Sequence, residues 1–126
     1  MKIRKPEKRD VVRFEWQDKI RTGVVVEIDD DAGCAAVIYG TRTIRELICF
    51  RVQERTTTAT MLDLQATTYF YVENCLLLDY QQLKFIDRRC PPGPFLELAK
   101  LQEFASRTFV RPLLADAASQ VKVEKS

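Results

Sequence analysis

The chain of 126 residues contains no histidine. That absence removes histidine triads, histidine proton shuttles and most protein metal sites, which lean on imidazole. Glycine is scarce, at four residues, and none falls in a P-loop or dinucleotide-binding pattern. There is no Gly-x-Ser-x-Gly elbow, and no pair of carboxylates stands out for hydrolysis. No apolar run approaches the ~20 residues that span a bilayer, and the opening residues have no apolar signal core. A cytoplasmic protein without membrane contact is therefore expected, and no metal or cofactor is called for. Charge of one sign is also lacking: 20 basic residues stand against 18 acidic ones, a net charge of +2. Such a balance does not by itself announce nucleic acid, so an anion site would have to come from local clustering.

What is present is an ordinary globular composition, 46% hydrophobic and 30% charged. The length suits one domain with a core that needs no disulfide. The four cysteines, Cys34, Cys49, Cys75 and Cys90, form no Cys-x-x-Cys pair. Three lie in apolar runs, where reduced thiols act as small hydrophobes. Residues 1–9 are basic and aperiodic, and read as a solvated tail or a phosphate-steering arm.

From there the pattern is that of strands. Val12, Phe14 and Trp16 alternate with Arg13 and Glu15, a half-buried strand. Gln17, Asp18 and Lys19 form a polar loop. Thr22–Ile28 is β-branched. Asp29-Asp30-Asp31-Ala32-Gly33 has hairpin chemistry rather than the alternating ligands of a Ca²⁺ loop. Cys34–Tyr39, Glu46–Gln53, Thr67–Val72 and Cys75–Tyr80 follow as strands. Met61–Leu64 has the look of a helical turn. Gln82–Ile86 extends the sixth strand or begins another. After the break Cys90-Pro91-Pro92-Gly93-Pro94, the spacing of Phe95, Leu98, Leu101, Phe104 and Ala105 predicts an amphipathic helix over 94–107. Glu97 near its start and Arg107 near its end suit its dipole. Residues 115–126 read as a frayed tail. The expected architecture is a single mainly β domain, a small bent barrel over about 8–88 with a C-terminal helix. Closure would remove exposed sheet edges.

Antiparallel pairing across the Asp-rich hairpin brings the start of the second strand beside the end of the third. Arg21, Thr41, Arg42 and Thr43 should then share one rim. A guanidinium beside hydroxyls is a phosphate-binding arrangement. The ordinary alternative is a solvent-facing rim. Trp16, Tyr69 and Tyr71 are aromatics on which bases could stack, if they are not core.

The order of these motifs resembles the PemK/MazF family of toxin endoribonucleases. Arg9-Asp10-Val11-Val12-Arg13-Phe14 is similar to its first strand, and Arg21-Thr22-Gly23-Val24-Val25-Val26 to its Arg-Pro-Ala-Val-Val-like second strand. Tyr39-Gly40-Thr41-Arg42-Thr43 resembles the Tyr-Gly-Thr-Ser-Gln motif of one subgroup. Thr67-Thr68-Tyr69-Phe70 resembles a later strand, and the segment from Pro94 to Arg107 a final helix. The likeness runs over residues 8–107. It departs at Thr22, at Arg42-Thr43, and at Tyr69-Phe70-Tyr71, where some members carry an acidic residue. The resemblance implies an SH3-like barrel that dimerises, is neutralised by a cognate antitoxin, and cleaves single-stranded RNA without metal. It implies catalytic roles for Arg21 and Thr41, with Arg42, Thr43, Trp16 and Lys19 as RNA contacts. The alternative is a non-catalytic barrel, a binding module or plasmid or phage regulator that touches nucleic acid or protein. A gyrase-directed inhibitor on the same barrel is a third.

Overall fold

The computed structural model describes residues 4–108, with side chains through Phe104. The C-terminal tail expected at 115–126, and the side chains of Ala105 and Arg107, lie outside the described residues. The elements are β1 (Asp10–Trp16), β2 (Lys19–Asp29), β3 (Cys34–Tyr39), β4 (Cys49–Val52), α1 (Thr57–Met61), β5 (Thr68–Tyr71), β6 (Cys75–Asp79), β7 (Lys84–Arg89) and α2 (Pro92–Thr108). A 3₁₀ turn, Tyr80–Gln82, separates β6 from β7.

The protein is mainly β. Five antiparallel strands lie in the order β6-β3-β2-β1-β7, and β4 and β5 form a separate ribbon. An isolated bridge, Thr41 to Tyr69, joins ribbon and sheet. The expected closed barrel is corrected here. Among the described residues β6 and β7 remain the two edges and do not pair with each other. The β7 edge carries Lys84, Asp87, Arg88 and Arg89, charges that discourage further pairing.

The central strands are apolar on both faces, because both faces are covered. Val11, Val24, Val26, Ala36 and Ile38 pack with Val52, Phe70, Leu62 and the α2 residues Leu98 and Leu101. On the other face Val12, Phe14, Val25, Val37 and Tyr39 pack with Leu76, Leu78, Tyr80 and Leu83. Alternate residues of one strand therefore serve two cores.

Several element boundaries differ from the sequence reading for local reasons. Helix α2 begins at Pro92, two residues early. Its first described bond runs from the Phe95 N–H to the Pro91 carbonyl, 2.9 Å. Pro92 and Pro94 thus occupy first-turn positions, where no intrahelical N–H bond is lost. Glu97 then falls beyond the first turn. The expected helical turn at 61–64 is α1, centred earlier, because the Thr56 hydroxyl caps it by accepting the Ala59 N–H at 3.2 Å. The fourth strand shortens to Cys49–Val52, which leaves Ile44, Leu47 and Ile48 exposed. Gln82–Ile86 does not extend β6. Its last residues start β7, which pairs with β1. The Asp29–Gly33 segment is the expected hairpin, with Gly33 at φ 68.

The solvated-tail reading fails for residues 4–9. Pro6 is buried. Arg9 donates its backbone N–H to Val25 at 2.9 Å and its Nε to the Cys90 carbonyl at 2.7 Å. Arg89 reaches Glu7 at 3.0 Å, and Arg4 lies over the Phe85 ring at 4.1 Å. The segment is clamped between β2 and β7.

Candidate functional site

The site begins at the β1–β2 hairpin. Trp16 pairs with Lys19, so only Gln17 and Asp18 make the turn. Both have positive φ, 55 and 62. This is the geometry whose twist matches that of paired strands. The tight turn draws Lys19 into β2 and puts Arg21 opposite Phe14.

Strand β2 then pairs with β3 as Gly23 to Tyr39 and Val24 to Ile38. The Gly40 N–H reaches the Thr22 carbonyl at 3.2 Å and carries the ladder one step further. The next facing positions are Arg21 and Thr41. Facing residues of an antiparallel pair share a face. This is the rim meeting expected from the hairpin.

Gly40 is required for this approach. A Cβ there would run into the Thr68 methyl and lie 3.1 Å from the Phe70 ring. Because Gly40 has no side chain, β5 comes close enough for Thr41 to bond Tyr69 in both directions, at 2.9 and 2.7 Å.

Arg21, Thr41, Arg42, Thr43 and Lys19 line one recess of about 450 Å³. Its other walls include Arg13, Thr22, Thr68, Gln65 and Asp63. Four cations and one carboxylate line it, so the nearly neutral chain concentrates positive charge here. Lys19, Arg42 and Thr43 are exposed, whereas Arg21 and Thr41 are half-buried. Arg13 forms an ion pair with Asp63, and Arg88 approaches the same carboxylate at 3.7 Å.

The guanidinium of Arg21 is held from several sides. It lies 5.1 Å from the centre of the Tyr39 ring. Its Nε points to the Trp16 carbonyl at 3.4 Å, and Nη2 to Gln17 at 3.5 Å. Cation–π contact of this kind fixes a guanidinium without occupying all its donors. Burial pushes the Tyr39 phenol up, and the pull of Arg21, the Trp16 hydrogen bond and Arg45 only partly offsets it. Tyr39 is a neutral platform at physiological pH.

Of the expected RNA contacts, Trp16 does not line this recess. It lines an adjoining one with Gln17 and Lys84; the two recesses share Arg13 and Ile20. Trp16 is partly buried against the core. Tyr71 is fully buried, so no base can stack on it. Its ring is covered by the half-buried Tyr69, 6.1 Å away and nearly parallel.

Arg13 and Asp63 were missed by the sequence reading. Arg13 is one of the polar alternates in β1, a visible signal. Asp63 has none, because a loop carries it there from the far side of α1. All four cysteines are free, with Cys75 and Cys90 buried and Cys49 exposed. Among the described residues no three metal-ligating side chains gather. No described helix is long and apolar enough to cross a membrane.

The fold and site thus define a mainly β domain with a cationic, hydroxyl-lined recess at one rim of its sheet. In comparison with known proteins, no family model matches the chain and no curated protein is similar to it.

Proposed function

We propose that the protein is a metal-independent endoribonuclease of the PemK/MazF type, the toxin of a type II toxin–antitoxin system. In this reading the five-stranded sheet, ribbon and terminal helix are a variant of the family's SH3-like architecture. A homodimer acts on single-stranded RNA in the cytoplasm and is held in check by a cognate antitoxin. One observation carries the proposal: Arg21 on β2 and Thr41, just past the end of β3, line the same cationic recess.

The reaction is attack of an RNA 2′-oxygen on its own phosphorus. The O2′–P bond forms and the P–O5′ bond breaks, which leaves a cyclic phosphate and a 5′-OH. The developing charge on the phosphoryl oxygens is what Arg21 would stabilise, with two N–H donors in a fixed fork. The Thr41 hydroxyl, which accepts the Thr43 N–H at 3.2 Å, keeps its own proton to donate to the same phosphoryl group. Lys19 and Arg42 would hold flanking phosphates. The proton lost from the 2′-OH goes to water or to Asp63, the one carboxylate among the described lining residues, and water supplies the proton that the leaving O5′ takes up.

The test is end-group analysis of single-stranded RNA incubated with the purified protein in chelator. Cyclic phosphate ends are expected from the wild type. Arg21→Ala should lower the rate roughly 10²–10³-fold, the usual cost of one oxyanion donor, with an unchanged circular dichroism spectrum. Equal cleavage by the variant rejects the assignment.

A binding module on the same fold is favoured by one observation. Arg21 is already engaged by Tyr39 and the Trp16 carbonyl. Salt-dependent RNA association with no product at high protein concentration would select that reading.

A further inference from the structure

The recess has one wall that no regular element supports. After β3 the chain runs through Gly40–Ile48 without helix or strand before β4, apart from the bridge at Thr41. Thr41, Arg42 and Thr43, three of the groups that face the recess, belong to this stretch. Its residues from Arg42 to Cys49 are all exposed. A segment so poorly packed should wander, and side chains on it would be poorly placed for catalysis.

One buried group opposes this. The Tyr71 hydroxyl donates to the Thr43 carbonyl at 2.7 Å and accepts the Arg45 N–H at 2.5 Å. The Tyr71 ring is at 0% exposure, covered by Tyr69. Arg45 closes over it from outside, with its guanidinium 5.9 Å from the ring centre and ion-paired to Glu73. Hence the hydroxyl is a fixed point on β5, and it holds two backbone groups in the middle of a segment whose ends are tied by the Thr41–Tyr69 bridge and by the Val72 N–H to the Ile48 carbonyl, 3.0 Å. With the Thr41–Tyr69 bridge it ties Thr41, Thr43 and Arg45 to one strand. Simple core packing would explain a buried phenylalanine at position 71. It does not explain a phenol whose donor and acceptor capacity both go to the recess loop.

We propose that Tyr71 is a positioning residue, whose buried hydroxyl latches the Thr43–Arg45 backbone and so holds Thr41, Arg42 and Thr43 as the wall of the recess. The latch stands on geometry alone; its consequence for cleavage rests on the nuclease reading. Tyr71 touches no substrate.

The test compares Tyr71→Phe with Tyr80→Phe. Tyr80 also loses a hydroxyl bond, to Asp30 at 2.5 Å, but at the distant Asp-rich hairpin. Amide hydrogen exchange at Arg45 should accelerate on the order of tenfold in Tyr71→Phe. Exchange at Val24 and Val25 should not change, nor should Arg45 in Tyr80→Phe. In cleavage assays Tyr71→Phe should lose roughly tenfold in kcat/KM, with Tyr80→Phe at wild-type level. Unaltered Arg45 exchange in Tyr71→Phe overturns the latch, whatever happens to RNA. Faster exchange with wild-type kcat/KM overturns its role in forming the recess. If the wild type itself cleaves no RNA, the nuclease reading fails and the exchange result still decides the latch.

Discussion

At the scale of single residues, the shape of the site depends on groups that are small or buried, while its charge comes from the four cations that line it. Gly40 is the clearest. Its missing side chain admits the Thr68 methyl and lets β5 bond Thr41. Gly40→Ala should cost about 1–3 kcal/mol through overpacking, read as a lower denaturant midpoint. Adding Thr68→Ser removes the obstructing methyl and should recover most of the loss. A double variant no better than Gly40→Ala would show that the clash lies elsewhere. Arg21 and Thr41 were legible in the chain because hairpin register follows from strand spacing. Tyr71 was open in the sequence as either a base platform or core, and it is core. Its position in β5 leaves open which face the ribbon presents to the sheet, and only packing put it inside. Trp16, an expected RNA contact, packs partly against the core and lines the neighbouring recess.

At the scale of elements, local chemistry explains most boundaries once the caps are seen. Thr56 starts α1, and the prolines at 92 and 94 sit where a helix tolerates them. The β1–β2 hairpin is the element on which Arg21 depends most. Its turn forces Gln17 and Asp18 into the left-handed region, which strains residues other than glycine. Replacing the pair by Asn-Gly, the favoured sequence for this turn, should raise stability by about 1 kcal/mol. The rise should appear as a higher Tm, with Arg21-dependent cleavage retained. A fall in Tm would mean that the Gln17 and Asp18 side chains contribute more than the backbone strain costs. The polar Gln17-Asp18-Lys19 run was legible as a loop. That Lys19 joins β2 was not, since a two-residue turn without glycine gives no strong signal.

At the scale of the whole molecule, two cores share one sheet, and each holds a thiol or a phenol away from water. Burial pushes Cys75 up to about 12 and Cys90 up to about 11, from 9.0. At neutral pH both are protonated, folded or unfolded, and contribute nothing to pH dependence. Above about pH 9 the unfolded chain loses these protons while the folded chain keeps them. The unfolded state then binds fewer protons, so stability falls as pH rises toward 11. Urea midpoints between pH 8 and 10.5 should show this decline, and it should flatten in Cys75→Ala/Cys90→Ala. The same burial predicts that a thiol reagent labels Cys49 in the native protein and reaches Cys75 and Cys90 only on unfolding.

Read by itself, the chain determined its class and its register. Alternation, turn residues and the absence of histidine follow from local composition, and these sufficed for a mainly β domain with Arg21 and Thr41 at one rim. Only the tertiary structure decided that the sheet stays open, that residues 4–9 are clamped, that Arg13 and Asp63 join the recess, and that the Tyr71 hydroxyl bonds the backbone at Thr43 and Arg45. Those outcomes depend on which faces of distant segments meet. Contacts between residues tens of positions apart leave no periodic trace in the sequence, because each partner satisfies its own local pattern equally well either way.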